Sequence, residues 1–391
     1  MSAAQDTPAS EPSDLAIVLT GGGARAAYQV GMLRCLARAL PDLRFPIITG
    51  VSAGAINAIY IAAHAGPLGE SAPALSELWA KLHVEDIFRV DVPFLARNLV
   101  RWSTHLVSGG DPRAPEVRGL VDTQPLRAII QRAVATVDGE IIGIGRNVER
   151  GALQALALTA LNYSTGQTVT WVQGNGHPPW ERPRRVSVRA RLGVEHVMAS
   201  SALPLFFPAV RLGESWYGDG GIRLHTPLAP ALHLGARRIL AVSPRYQPTM
   251  EEAERRKVRG YPPPAQILNH LLNSIFLDML DYDSAQMERL NFLLRRLPPE
   301  QRQGLQPVDL LVLRPSVDLG ALARDFEPHL PRGFRYLTRS LGTRETKSGD
   351  FLSYLSFHPD YLGKLMEIGE ADAEARLPEI RKLLERPAAA A

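Results

Sequence analysis

Ile48-Thr49-Gly50-Val51-Ser52-Ala53-Gly54-Ala55-Ile56-Asn57-Ala58-Ile59-Tyr60 is the stretch on which the reading of the fold turns. Apolar and β-branched residues, Phe45 to Thr49, run into it as a strand. An alanine-rich helical pattern, Ala55 to Ala65, runs out of it. Strand, sharp turn and helix therefore follow one another, with Ser52 at the corner between Gly50 and Gly54. A turn this tight holds the serine in a strained conformation, and its small neighbours leave the hydroxyl clear. Ser52 is the candidate nucleophile, and the helix N-terminus beneath it supplies a positive dipole end near developing negative charge.

Upstream, Leu15 to Leu19 is a continuous apolar run suited to a strand buried on both faces. Thr20-Gly21-Gly22-Gly23-Ala24-Arg25 follows, then a helical stretch from about Ala26 to Leu40 closed by Pro41. Two strands joined by one helix within about 35 residues make a βαβ unit with a parallel sheet. The glycine loop has two readings. As G-x-G-x-x-A after a first strand it fits a variant dinucleotide fingerprint, which requires an acidic residue at the end of the second strand. That strand instead ends in Thr49-Gly50 and Ser52. The alternative is an oxyanion hole, in which glycines let backbone N–H groups converge on a carbonyl oxygen. Both loops follow parallel strands, so their tips lie side by side at the sheet's carboxyl edge, and the oxyanion hole is the favoured reading.

Downstream, residues 71–135 are helical and irregular. Pro93 to Val107 reads as a helix with Leu95, Leu99, Trp102 and Leu106 on one face and Arg97, Arg101 and His105 elsewhere. It is either a core-facing surface helix or a basic amphipathic element that covers an active site or contacts a membrane surface. A glycine- and proline-rich loop spans Val107 to Arg118, and Asp122 or Thr123 caps the next helix. Leu153 to Leu161 and Thr168 to Val172 are strand-like. Val194 to Ser201 is a short helix, Ser215 to Gly221 a strand end and turn, Leu228 to Leu234 a helix, and Arg238 to Val242 a buried strand. From about Met250 the character changes. Pro262-Pro263-Pro264 precedes one long helical pattern, Ala265 to Leu297, whose apolar stripe includes Leu268, Leu271, Leu272, Phe276 and Leu280. Val308 to Leu313 is a further strand, and Phe351 to Leu365 and Glu374 to Leu384 are helices. The expected organisation is a tail over 1–13, a catalytic domain over 14–245, a mostly helical extension over 246–385 packed on it, and a tail over 386–391.

At 391 residues, 45% hydrophobic and 21% charged, the composition is ordinary for a soluble globular protein. A net charge of +4 permits attraction to anionic surfaces without demanding it. No basic run with interleaved aromatics argues for nucleic acid. The single cysteine, Cys35, excludes an internal disulfide and a cysteine-based zinc cluster. Met1 to Ser13 lacks the basic and apolar segments of a signal peptide and reads as a disordered tail. No apolar run reaches the roughly 18–20 residues of a membrane span, so a cytoplasmic protein, at most peripherally attached to a membrane, is expected.

A serine hydroxyl needs a base within hydrogen-bond reach. The histidines after Ser52 include His64, His83, His105, His196 and His225, none of these in a turn as tight as Asp219-Gly220-Gly221. Asp219 ends an apolar strand and precedes two glycines, a placement that presents a carboxylate at a strand's end. Desolvation there could raise its basicity enough to accept the serine proton. Taken alone, the motif reads by default as an aspartate in an ordinary turn.

Four motifs in order, GGGAR at 21–25, GVSAG at 50–54, ASSALPLFFP at 199–208 and DGG at 219–221 followed by TPLAPALHLGA at 226–236, resemble the patatin-like phospholipases. The resemblance covers Asp14 to Val242. It implies a three-layer α/β/α sandwich with a mainly parallel central sheet, and a Ser–Asp dyad in place of a triad. It makes Ser52 the nucleophile, Asp219 the general base, and Gly21, Gly22, Gly23 and Arg25 the oxyanion loop. Gly50, Gly54, Gly220 and Gly221 become motif glycines. The expected activity is hydrolysis of fatty-acyl esters of lipids, with no metal, no organic cofactor and no nucleic-acid partner. Two positions depart from the family pattern: Ala26 replaces a glycine, and His225 stands where asparagine is usual and could assist the chemistry. The rival readings are an α/β-hydrolase esterase with a Ser–His–Asp triad and a non-catalytic lipid-binding scaffold.

Overall fold

The computed structural model describes residues 14–64, 66–107, 118–254, 260–343, 345 and 349–385. The tails expected over 1–13 and 386–391, and most of the loop expected between Val107 and Arg118, lie outside these. Ten strands form one sheet: β1 (Leu15–Leu19), β2 (Ile47–Val51), β3 (Ala155–Asn162), β4 (Thr168–Gly174), β5 (Glu181–Arg182), β6 (Arg185–Arg189), β7 (Val210–Leu212), β8 (Ser215–Asp219), β9 (Arg238–Val242) and β10 (Asp309–Leu313). The order across the sheet is β10-β9-β1-β2-β3-β4-β6-β5. From β10 to β3 every pairing is parallel. β4 returns antiparallel to β3, and β8 pairs antiparallel with the outer end of β3 and with β7.

Alternation along the strands separates two cores. Leu15, Ile17 and Leu19 of β1, Leu156 and Leu158 of β3 and Leu240 and Val242 of β9 face one core. Helices α1 (Ala26–Ala39), α2 (Ala53–Ala63) and α3 (Leu68–Ala80) pack there. Ala16, Val18, Ala155, Ala157, Ile239 and Ala241 face the other, with Leu228, Ala231 and Leu234. The result is a three-layer α/β/α sandwich around a mainly parallel sheet, with a largely helical C-terminal region.

That region is joined to the layers at several points. β10 forms one edge of the sheet. Helix α10 (Pro359–Ala375) lies along α1 at glycine-permitted distance: a Cβ on Gly31 would collide with the Met366 carbonyl, and one on Gly369 with the Tyr28 carbonyl. Arg34 and Arg38 on α1 pair with Glu370 on α10.

The long helix expected over 265–297 is two helices, α7 (Pro264–Phe276) and α8 (Asp278–Leu294), meeting at Leu277. The reason lies in the two cores. Leu272, Phe276 and Leu277 pack into the first, whereas Leu280 and Met287 pack into the second, and one straight stripe cannot face both. Leu271, counted in that stripe, is 55% exposed. The helix expected over Pro93 to Val107 is α4 (Val92–Val107). Its Trp102 is half-buried and its Arg97 and Arg101 are exposed, while the side chains of Leu95, Leu99 and Leu106 lie outside those described. The helix expected over 351–365 is also two, α9 (Asp350–Leu355) and α10, divided just before Pro359.

Candidate active site

Ser52 stands where β2 ends. Val51, the last residue of β2, pairs with Thr159 of β3. On the next rung of β3, Ala160 pairs with Asp219, the last residue of β8, which arrives from the opposite direction. Two strands thus meet end to end along one flank of β3. Ser52 Oγ donates to Asp219 Oδ2 at 2.6 Å across 167 residues of sequence.

The surroundings set the chemistry of this pair. Asp219 is 0% exposed, and burial pushes its carboxyl up to about 7, although the hydrogen bonds from Ser52 and from the Gly221 N–H (2.9 Å) act the other way. A carboxylate of that basicity accepts a proton far more readily than one near 4. Ser52 is 7% exposed with φ 55° and ψ −135°, a backbone conformation that non-glycine residues rarely adopt.

Two further serines hold that backbone. The Ser52 N–H donates to Ser200 Oγ at 3.1 Å, and Ser200 Oγ in turn donates to the Thr159 carbonyl at 2.7 Å. Ser201 Oγ donates to the Ser52 carbonyl at 2.9 Å. In the sequence Ser200 and Ser201 stand only within the ASSALPLFFP string, which assigns them no role. The available signal was a pair of small hydroxyls at the end of a short helix, α6 (Val194–Ser200), just before Pro204.

The glycine loop lies directly against the elbow. A Cβ on Gly21 would stand 2.7 Å from Ser52 Cβ, and one on Gly54 would strike the Leu19 carbonyl. Gly23, at φ 57°, passes so close to the Tyr354 carbonyl that a Cβ there would collide with it. Gly50 leaves room for the Ala58 methyl, Gly220 lies against the Thr159 carbonyl, and Gly221 against the Phe276 ring. Among the described residues, the Gly22 and Gly23 amides donate to no other group. Arg25 differs from expectation. Its amide closes a turn onto the Gly22 carbonyl at 3.2 Å. Its buried guanidinium reaches the C-terminal region, giving 2.6 Å bonds to both Asp350 Oδ1 and Ser353 Oγ. Asn273 donates to the other oxygen of Asp350 at 2.9 Å. His225 is exposed, its amide bonded to the Arg223 carbonyl, and it contributes nothing to the lining of the site.

Ser52, Gly22, Gly23 and Ser201 line a pocket whose remaining walls are aliphatic and aromatic, among them Ile56, Trp79, Leu126, Leu203, Phe276 and Phe357. Phe276, Tyr354, Leu355 and Phe357 come from beyond residue 250, where the sequence carried no recognisable motif. Among the described residues, no cluster of His, Cys, Asp or Glu is arranged to hold a metal ion. Nor is any helix long and apolar enough to cross a membrane.

Residues 17–232, more than half of the chain, match the profile of the Patatin-like phospholipase family. The chain belongs to that family. Solved structures similar to this patatin-like chain include human GIVD cytosolic phospholipase A2 in complex with methyl gamma-linolenyl fluorophosphonate, at 13% identity and TM-score 0.42, covering 95% of this chain and 59% of that one. The type III effector ExoU is similar at 15% identity and TM-score 0.38, covering 96% and 54%. VipD from Legionella pneumophila is similar at 13% and 0.32, covering 91% and 67%. The chain thus spans about six-tenths of the phospholipase A2 structure. No curated protein matches it.

Proposed function

We propose that this chain is a lipid acyl hydrolase acting through a Ser52–Asp219 dyad. Ser52 Oγ attacks the ester carbonyl carbon as Asp219 takes its proton. The carbonyl oxygen, now an anion, receives the amides of Gly22 and Gly23. Collapse of the tetrahedral intermediate returns the proton from Asp219 to the departing alkoxide and leaves an acyl-serine. Water attacks that ester, again giving its proton to Asp219, and the fatty acid leaves as Ser52 recovers its hydrogen. The acyl chain occupies the apolar pocket, where water cannot compete for it.

The observation that carries the reading is the 2.6 Å bond from Ser52, which lines a largely apolar pocket, to a fully buried carboxyl whose basicity burial raises. Family membership supports the reaction class. Fatty-acid release by wild type, Ser52→Ala and Asp219→Asn across a panel of phospholipids and soluble esters tests it. Wild type is expected to release acid, and both variants to fold and lose it. Absence of release from every ester by folded wild type would end the proposal.

A further inference from the structure

The sheet register gathers unpaired positive charge on the edge that carries Ser52. On the rung of β3 just beyond Ala160, Gly218 pairs with Leu161, Leu161 with Thr168, Thr168 with Arg185, and Arg185 with Arg182. The β5–β6 turn carries Arg184 on the same edge. On the other side of β3, β7 brings Arg211 opposite Trp216, three residues before Asp219 and so roughly 10 Å from it along the strand. Arg223 follows the DGG turn and donates to the Gly166 carbonyl at that edge.

None of these five arginines lies within ion-pair distance of a carboxylate among the described residues, although the buried Asp283 is near enough to Arg185 to feel its charge. Arg185 bonds the Thr226 hydroxyl and Arg211 the Gly213 carbonyl, both neutral. Against them stand the exposed Glu181 and Glu214. Two aromatics share the rim: Trp216 is 39% exposed and Tyr163 45%, and the Tyr163 amide bonds the Trp216 carbonyl. Amphipathic rings beside unpaired arginines suit the headgroup level of a bilayer, where the rings settle and anionic lipids meet the guanidinium groups.

We infer that this arginine–tryptophan rim docks the protein onto an anionic lipid surface, setting the active-site edge against the membrane. The inference builds on the lipid-hydrolase reading, because it turns that edge toward the substrate. Co-flotation of the full chain with vesicles of phosphatidylcholine, alone and with phosphatidylglycerol, tests it, using wild type and the triple variant Arg182→Gln, Arg184→Gln, Arg211→Gln. Wild type is expected to float with the anionic vesicles and to be released by high salt. The triple variant should partition about 100-fold more weakly, roughly fivefold per arginine, and hydrolyse a soluble short-chain ester at the wild-type rate. Tryptophan emission should shift blue on binding, and Trp216→Phe should remove the shift. Equal partitioning of variant and wild type, equal binding to neutral vesicles, or preference for single-stranded RNA over anionic vesicles would overturn the inference. The soluble ester separates the two readings: arginine-dependent flotation without ester hydrolysis removes the hydrolase and leaves the docking surface.

Discussion

At the scale of single residues, burial gives Asp219 two opposed properties. In the proposed dyad the ionised form is the base, so kcat/KM on a soluble ester should rise with pH through about 7 and level off above it. The same raised value means that the folded state holds this proton more tightly than the unfolded chain. Its contribution to stability is therefore complete below the ordinary carboxylate range and is lost as pH climbs through about 7. Asp219→Asn keeps the shape and removes the buried charge. It should lower turnover by roughly 10^2 to 10^4 while raising the Tm at pH 8, measured by calorimetry. Ser200→Ala acts differently. It strips the Ser52 amide and the Thr159 carbonyl of their common partner, at a cost of about 1–3 kcal/mol. We expect a lower Tm and a kcat that falls more than KM changes, because the elbow loses its support while the pocket keeps its lining.

Among elements, the site depends on contacts that no local pattern announces. The first strand, the glycine loop, α1 and the serine elbow were legible because each is a run of neighbouring residues with one clear period. Asp219 was legible as a carboxylate at a strand end, but its role as partner came from the resemblance, since only the antiparallel entry of β8 beside β3 brings it to Ser52. Ser200, Ser201 and Asp350 could not be assigned roles, because their partners lie 148, 149 and 325 residues away. The break at Leu277 was hidden for a related reason: a helical stripe records that residues are buried, not which of two cores receives them. The Arg25–Asp350 pair is the contact of this kind with the largest expected effect. It ties the glycine loop to α9 in the interior, and removing one partner leaves a buried charge uncompensated. Asp350→Ala should destabilise the fold by about 3–5 kcal/mol in denaturant unfolding. A value within about 0.5 kcal/mol of zero would mean that the clamp does not hold.

Over the whole molecule, the C-terminal region supplies one wall of the pocket and the N-terminal layers the other. If the acyl chain occupies this pocket as proposed, its preference is set by residues such as Leu126 on α5 (Gln124–Ala133), which lines the pocket together with Phe276 and Phe357. Filling that space with Leu126→Trp should lower kcat/KM for long-chain esters more than for short ones, at an overpacking cost of about 1–3 kcal/mol. Equal loss for both lengths would place the acyl chain elsewhere. The central claim remains that Ser52 is acylated with Asp219 as its base. The most direct test is the rate of covalent labelling by a long-chain alkyl fluorophosphonate, followed by intact mass and peptide mapping from pH 5 to 9. The dyad predicts a single adduct on Ser52, a rate that rises through about pH 7 in wild type, and a rate at least about 100-fold lower in Asp219→Asn. Labelling of Asp219→Asn at the wild-type rate, or an adduct on any other residue, would contradict it.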